Sequence, residues 1–213
     1  MVTEILWEDY SEAFGFIGNS LLKAMNQTTA VGVNPRFWEA FPDFGSDTVR
    51  RAIEGCADCA AAIAKRADVE DIPLSQPAAV EFTRLFIGPP RPAAAPWQTS
   101  YRNGDMSTGF GQATFDMREE LRRAGLTVCN ENHQFEDHMG IELLLLAEIC
   151  HRQAMAKETE SAPVSHIDAY LTAYPLSWIT AFREKVHKDS PCGYYDNLLA
   201  LAESVMTDLD RRL

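Results

Sequence analysis

Asp137 and His138 stand side by side, and a carboxylate next to an imidazole can do general acid–base work or hold a metal ion. With His133 and His151 they could supply the ligands of a metal-dependent hydrolase. The order is Asp-His, however, and no second cluster of histidine and aspartate accompanies it. Cys56 and Cys59 have the spacing of a redox or zinc-binding pair. A thioredoxin-like site needs that pair after a strand in a βαβ setting, and no such pattern surrounds it. Zinc would need a second ligand pair, and Cys129 with His133 matches no common spacing. No nucleophile elbow, phosphate-cradling glycine loop or dinucleotide fingerprint is present. The chain is not expected to be an enzyme, and no metal or cofactor is expected. Asp137 and His138 also have a structural reading, as a helix cap and its half-buried neighbour.

Recognition chemistry is more legible. Pro89, Pro90, Pro92 and Pro96 fall within eight residues. Proline fixes φ and removes a donor, so this segment cannot be helix or inner strand. Trp97, Ser100 and Tyr101 follow it. A rigid loop carrying two aromatic rings suits recognition, and either ring could stack on a guanidinium for about 0.5–2 kcal/mol. Ahead of the loop, Phe82, Leu85 and Phe86 recur at steps of three and four, which puts them on one helical face. With Trp97 they could form an apolar groove. Asp137 could pair with cations beside it, although exposed pairs yield only about 0.2–1 kcal/mol each.

The elements that must position these residues are helices. Leu6, Tyr10, Phe14, Ile17, Leu21 and Met25 predict an amphipathic helix over residues 3–25, whose Gly15 and Gly18 suit close packing with another helix. Pro35 suits a short helix to Phe41 with Asn34 as its cap. Ser46 or Asp47 would start the next, to about Ala67, with Val49, Ile53, Cys56, Ala60 and Ile63 inward. Further helices are expected over about 80–87, 107–124, 135–157, 164–174, 175–188 and 193–213. The helix from Phe135 is apolar around most of its circumference, so it should be the central one, with Asp137 and His138 in its first turn. No strand pattern or repeat is present. The expectation is one all-α domain over residues 1–213.

With 46% hydrophobic and 23% charged residues the chain has the composition of a globular protein able to bury a core. A net charge of −12 argues against a nucleic-acid partner, which needs a basic face. No apolar run reaches the roughly 20 residues that span a bilayer. Residues Met1 to Asp9 lack a signal peptide's basic region, and five scattered cysteines do not form a disulfide framework. A cytoplasmic location is expected.

In order, Phe82-x-x-Leu85-Phe86, Pro96-Trp97-x-x-Ser100-Tyr101, Phe110-Gly111-x-x-Thr114 and Glu136-Asp137-His138 resemble the TorD/DmsD family, the chaperones that mature molybdenum-containing oxidoreductases. Phe135 stands where that family usually has proline before the acid and the imidazole. Trp178 to Tyr195 is similar to the family's C-terminal Trp…Phe…Tyr pattern. The resemblance implies an all-helical bundle that acts in anaerobic respiration, as monomer or homodimer. Its implied ligand is the twin-arginine leader of a precursor of the DMSO/TMAO reductase type, a basic segment followed by an apolar one, together with the precursor's body. It places the peptide site at Leu85, Phe86, Trp97, Asp137 and His138, framed by Phe82, Pro96, Ser100 and Tyr101. A helical scaffold or regulatory module without leader specificity is the alternative.

Overall fold

The computed structural model describes residues 5–88, 90–102, 110–128, 134–159 and 167–213, and these residues form an all-α structure. At its centre lies the helix expected there, α7 (Met139–Thr159), with Leu143, Leu145, Leu146 and Cys150 buried. The first helix, α1 (Trp7–Leu22), runs along α7 and turns Tyr10, Phe14, Ile17 and Leu21 inward, as its spacing predicts. Two glycines set how close these helices come. A Cβ on Gly18 would lie 2.8 Å from the Gly140 carbonyl oxygen, and one on Gly140 would lie 2.7 Å from that of Gly18. The packing reason expected for Gly18 is therefore present.

The short α2 (Pro35–Glu39) is capped by Asn34, whose Oδ1 accepts from the Arg36 N–H at 3.2 Å. The long α3 (Asp47–Glu70) buries Val49, Ile53, Cys56, Ala60 and Ile63 against the last helix, α10 (Tyr194–Arg212). Next comes α4 (Gln76–Phe82), which starts earlier than expected and runs into one wide π-type turn over Thr83–Ile87. Gly88 ends that turn at φ +62°, and a side chain there would collide with the Arg91 carbonyl. After the prolines, α5 (Thr99–Arg102) is a short helix that propensity alone does not reveal. It leads to α6 (Gln112–Arg123), α8 (Ile167–Ala173) and α9 (Pro175–Asp189).

Two long-range contacts fix α4. Its Glu81 carboxylate accepts from the backbone N–H groups of Tyr194 and Tyr195 at 2.9 and 3.2 Å, so it caps α10 from another helix. Just beyond it, Arg84 holds Asp189 at the end of α9, Nε to Oδ2 at 3.1 Å. The wall that carries Phe82, Leu85 and Phe86 is thereby tied to both C-terminal helices.

Candidate functional site

The loop after the prolines and the turn before α7 are joined as a single antiparallel bridge between Trp97 and His138. The Gln98 N–H donates to the Asp137 carbonyl and the Met139 N–H to the Pro96 carbonyl, each at 2.9 Å. Asp137 is not in the first turn of α7 but in the turn before it. Its side chain is 0% exposed. Oδ2 accepts from the Thr99 N–H at 2.9 Å and the Thr99 hydroxyl at 2.7 Å, while Oδ1 accepts from the Thr114 hydroxyl at 2.9 Å. One carboxylate thus caps α5 and clamps α6 to the turn. The surface pairing with arginines expected for Asp137 is not available in this arrangement, because no face of the carboxylate reaches solvent. Its neighbour Glu136 forms a two-bond pair with Arg118, at 2.7 and 3.1 Å.

His138 behaves differently. Its carbonyl accepts the first bonds of α7, from Ile141 and Glu142, so it is that helix's N-cap residue. Its Nδ1 accepts from the Gly140 N–H at 3.0 Å, which leaves Nε2 to carry the proton of the neutral ring. Burial pushes its pKa down to about 3. A neutral N–H donor is therefore present throughout the physiological range.

The remaining expected site residues divide between core and cavity. Leu85 is fully buried, Phe86 packs edge-on against Phe82 and Tyr195, and the Phe82 ring is tilted against Tyr195, all at ring distances of 5.0–5.7 Å. Ser100 is buried. Tyr101 does not present a free face: it packs on Trp178 and Phe182, and Lys185 Nζ lies 4.4 Å from its ring centre, so the cation on it comes from this chain. Trp97 is half-buried, edge-on to Phe135 and His138. Phe135, at the usual proline position, thus acts as a ring neighbour of Trp97.

Phe82, Phe86, Pro96 and His138 converge on one cavity of about 210 Å³, completed by Leu22 and Gln134. That cavity shares Ala24, Gln27 and Ile87 with a groove of about 830 Å³ running along α4 and its π turn. Val80 and Ile87, 62% and 58% exposed, supply apolar surface to the groove. Sequence reasoning places neither at a site. A usable signal is there, since two branched aliphatic residues flank the Phe82–Phe86 face on a side that the core does not claim.

Metal and redox chemistry find little support in the donor sets. Among the described residues no three His, Cys, Asp or Glu side chains stand close enough to hold a metal ion. His133 and Cys129 lie outside the described residues. His151 lies on α7, thirteen residues beyond its N-cap His138, about 20 Å at 1.5 Å per residue. Burial raises the thiol pKa of Cys56, and it raises that of Cys59 to about 11, so neither is an activated thiolate.

Residues 50–184, more than half of the chain, match the family model described as the nitrate reductase delta subunit, and the chain belongs to this family, which is the TorD/DmsD family of its motifs. Two curated relatives fit within it. A protein of Vibrio cholerae serotype O1 named "Chaperone protein TorD" is 28% identical over 129 residues, 58% of this chain and 56% of that protein. One from Haemophilus influenzae named "Probable Tat proofreading chaperone DmsD" is 25% identical over 128 residues, 60% of this chain and 58% of that protein. The matches thus span little more than half the length of these relatives. No helix among the described residues is long and apolar enough to cross a membrane.

Proposed function

We propose that this protein is a cytoplasmic, non-enzymatic chaperone that binds the twin-arginine leader of a molybdoenzyme precursor and holds the precursor's body until its cofactor is inserted. Family membership supports the class. The observation that carries the site is the convergence of Phe82, Phe86, Pro96 and His138 on a cavity beside an open apolar groove. The leader lies in the groove and reaches the cavity, where His138 Nε2–H donates to a peptide carbonyl. Leu85, Trp97, Ser100, Tyr101 and Asp137 hold the walls.

The apolar contribution dominates affinity. Covering on the order of 500 Å² of leader at about 25 cal/mol per Å² yields roughly 12 kcal/mol before the costs of association. The test is calorimetric titration with a synthetic twin-arginine leader, alongside mass spectrometry of what the tagged protein captures from its own cytosol. Binding of the leader, and capture of a precursor with its leader uncut, are the expected results. No heat with leaders of the source organism's molybdoenzymes, from protein with an intact helical spectrum, would overturn the reading.

A further inference from the structure

The groove along α4 differs in charge from the rest of the molecule. The chain carries a net charge of −12, yet among the described residues none that lines this groove is Asp or Glu, and two are arginines. Arg84 is anchored by Asp189, and Arg91 is exposed in the loop after Gly88. Lys23, exposed, is the chain neighbour of the lining residue Ala24. At the groove's other end, Pro73 follows closely on the C-terminus of α3. That end carries Asp68, Glu70 and Asp71, all exposed, and no basic residue in its last turn. Glu70 is paired with Arg66, whereas no ion pair engages Asp68 or Asp71 among the described residues. The partial negative charge of a 24-residue helix's C-terminus adds to these carboxylates.

A groove with an apolar, acid-free middle, cations at one end and an anionic mouth at the other selects a direction in its ligand. We infer that a bound leader lies in one polarity: the arginine pair rests at the α3 C-terminus beside Asp68 and Asp71, and the apolar stretch passes over Val80 and Ile87 toward Arg91. This rests on the leader-binding reading above. The arginines precede the apolar stretch in such a leader, so its chain runs in the same direction as α4. The wall from Gln76 to Ile87 rises about 17 Å at 1.5 Å per residue, a length that about five extended residues cover. The arginine pair is therefore held outside the groove, and only about five apolar residues occupy it.

The experiment uses the full chain and two synthetic peptides of identical composition, both with the arginine pair before the apolar stretch, the first with one glutamate after that stretch and the second with it ahead of the arginines. The first should bind roughly tenfold more tightly at low salt, and the preference should shrink at about 0.5 M salt as screening shortens to a few Å. Asp68→Lys with Asp71→Asn, the latter chosen because asparagine tolerates the left-handed backbone at this position (φ +51°), should abolish the preference. Arg91→Glu should weaken the first peptide several-fold. Thermal unfolding of each variant guards against loss of fold. If the wild type binds neither peptide, the leader-binding reading itself falls. If it binds both equally and the charge variants change nothing, leader binding stands and the polarity is wrong.

Discussion

The turn that ends in His138 and the wall formed by α4 face each other across one small cavity, yet they are built on opposite principles. The turn is polar and closed: a carboxylate with no exposed surface is satisfied by three donors from two other segments. The wall is apolar and half open, with Phe82 and Phe86 turned inward and Val80 and Ile87 left facing the groove. A closed polar knot holds geometry, because losing any partner leaves a buried group unsatisfied. An open apolar wall can accept a variable ligand, because apolar contact is non-directional. The contrast gives the motif residues separate roles. Asp137 holds the turn, α5 and α6 together, and on the proposed function a peptide would touch a different surface.

Replacing Asp137 offers the strongest way to break this division. Asp137→Ala strands the Thr99 N–H and two hydroxyls, and should destabilise the fold by about 4 kcal/mol, from three hydrogen bonds to a charged group. Urea unfolding measures it; a stable variant that has lost only leader binding would erase the distinction. Gly140→Ala forces a methyl against the Gly18 carbonyl and should cost about 1–3 kcal/mol by the same assay. Ile87→Asp acts on the other side of the contrast. It should weaken the leader about tenfold while shifting stability by no more than about 0.5 kcal/mol.

Titration sharpens the comparison further. Glu142, one turn into α7, is fully buried; its Oε2 accepts from Trp178 Nε1 at 2.9 Å, and burial raises its pKa well above the usual carboxylate range. The folded state therefore holds a proton that the unfolded chain releases, so this stabilisation is present below about pH 4.5 and is lost as pH rises. His138 has the opposite sign. Its folded pKa lies below its unfolded one, so its contribution is present above about pH 6.5 and is lost as pH falls toward 3. Glu142→Gln should flatten the alkaline limb of a stability–pH curve and leave the acid limb in place. The smallest effect expected is on binding: leader affinity should not change between about pH 5 and 8 through His138, since its ring stays neutral across that range. A protonation step near about pH 6.5 that disappears in His138→Phe would show instead that the ring is solvated.

Periodicity makes the long helices legible. α1, α3, α9 and α10 each bury a face at helical spacing, while α7 is apolar and buried almost all round, and both signals depend only on neighbours a few residues away. What periodicity misses depends on distant partners. The helix Thr99–Arg102 starts where Asp137, 38 residues further on, caps it. The N-terminus of α10 takes its capping carboxylate from Glu81, more than a hundred residues earlier. A carboxylate beside a helix start looks available to a ligand from local sequence, and so Asp137 does; its threonine partners are visible only in three dimensions. The groove is hidden for a similar reason. Val80 looks like one more apolar residue of an inward helix, yet it is exposed beside the groove.

The contact between Gly18 and Gly140 reaches beyond packing. Gly18 belongs to α1, which precedes the residues 50–184 matched by the family model. Leu22 of the same helix lines the cavity that His138 enters. A fragment cut to residues 50–184 would keep every motif residue from Phe82 to His138 and still lack one side of the cavity, with α7's first turn unbacked. Grafting the motifs onto another helical protein would fail for the same reason, because the imidazole is seated by a helix that carries none of them.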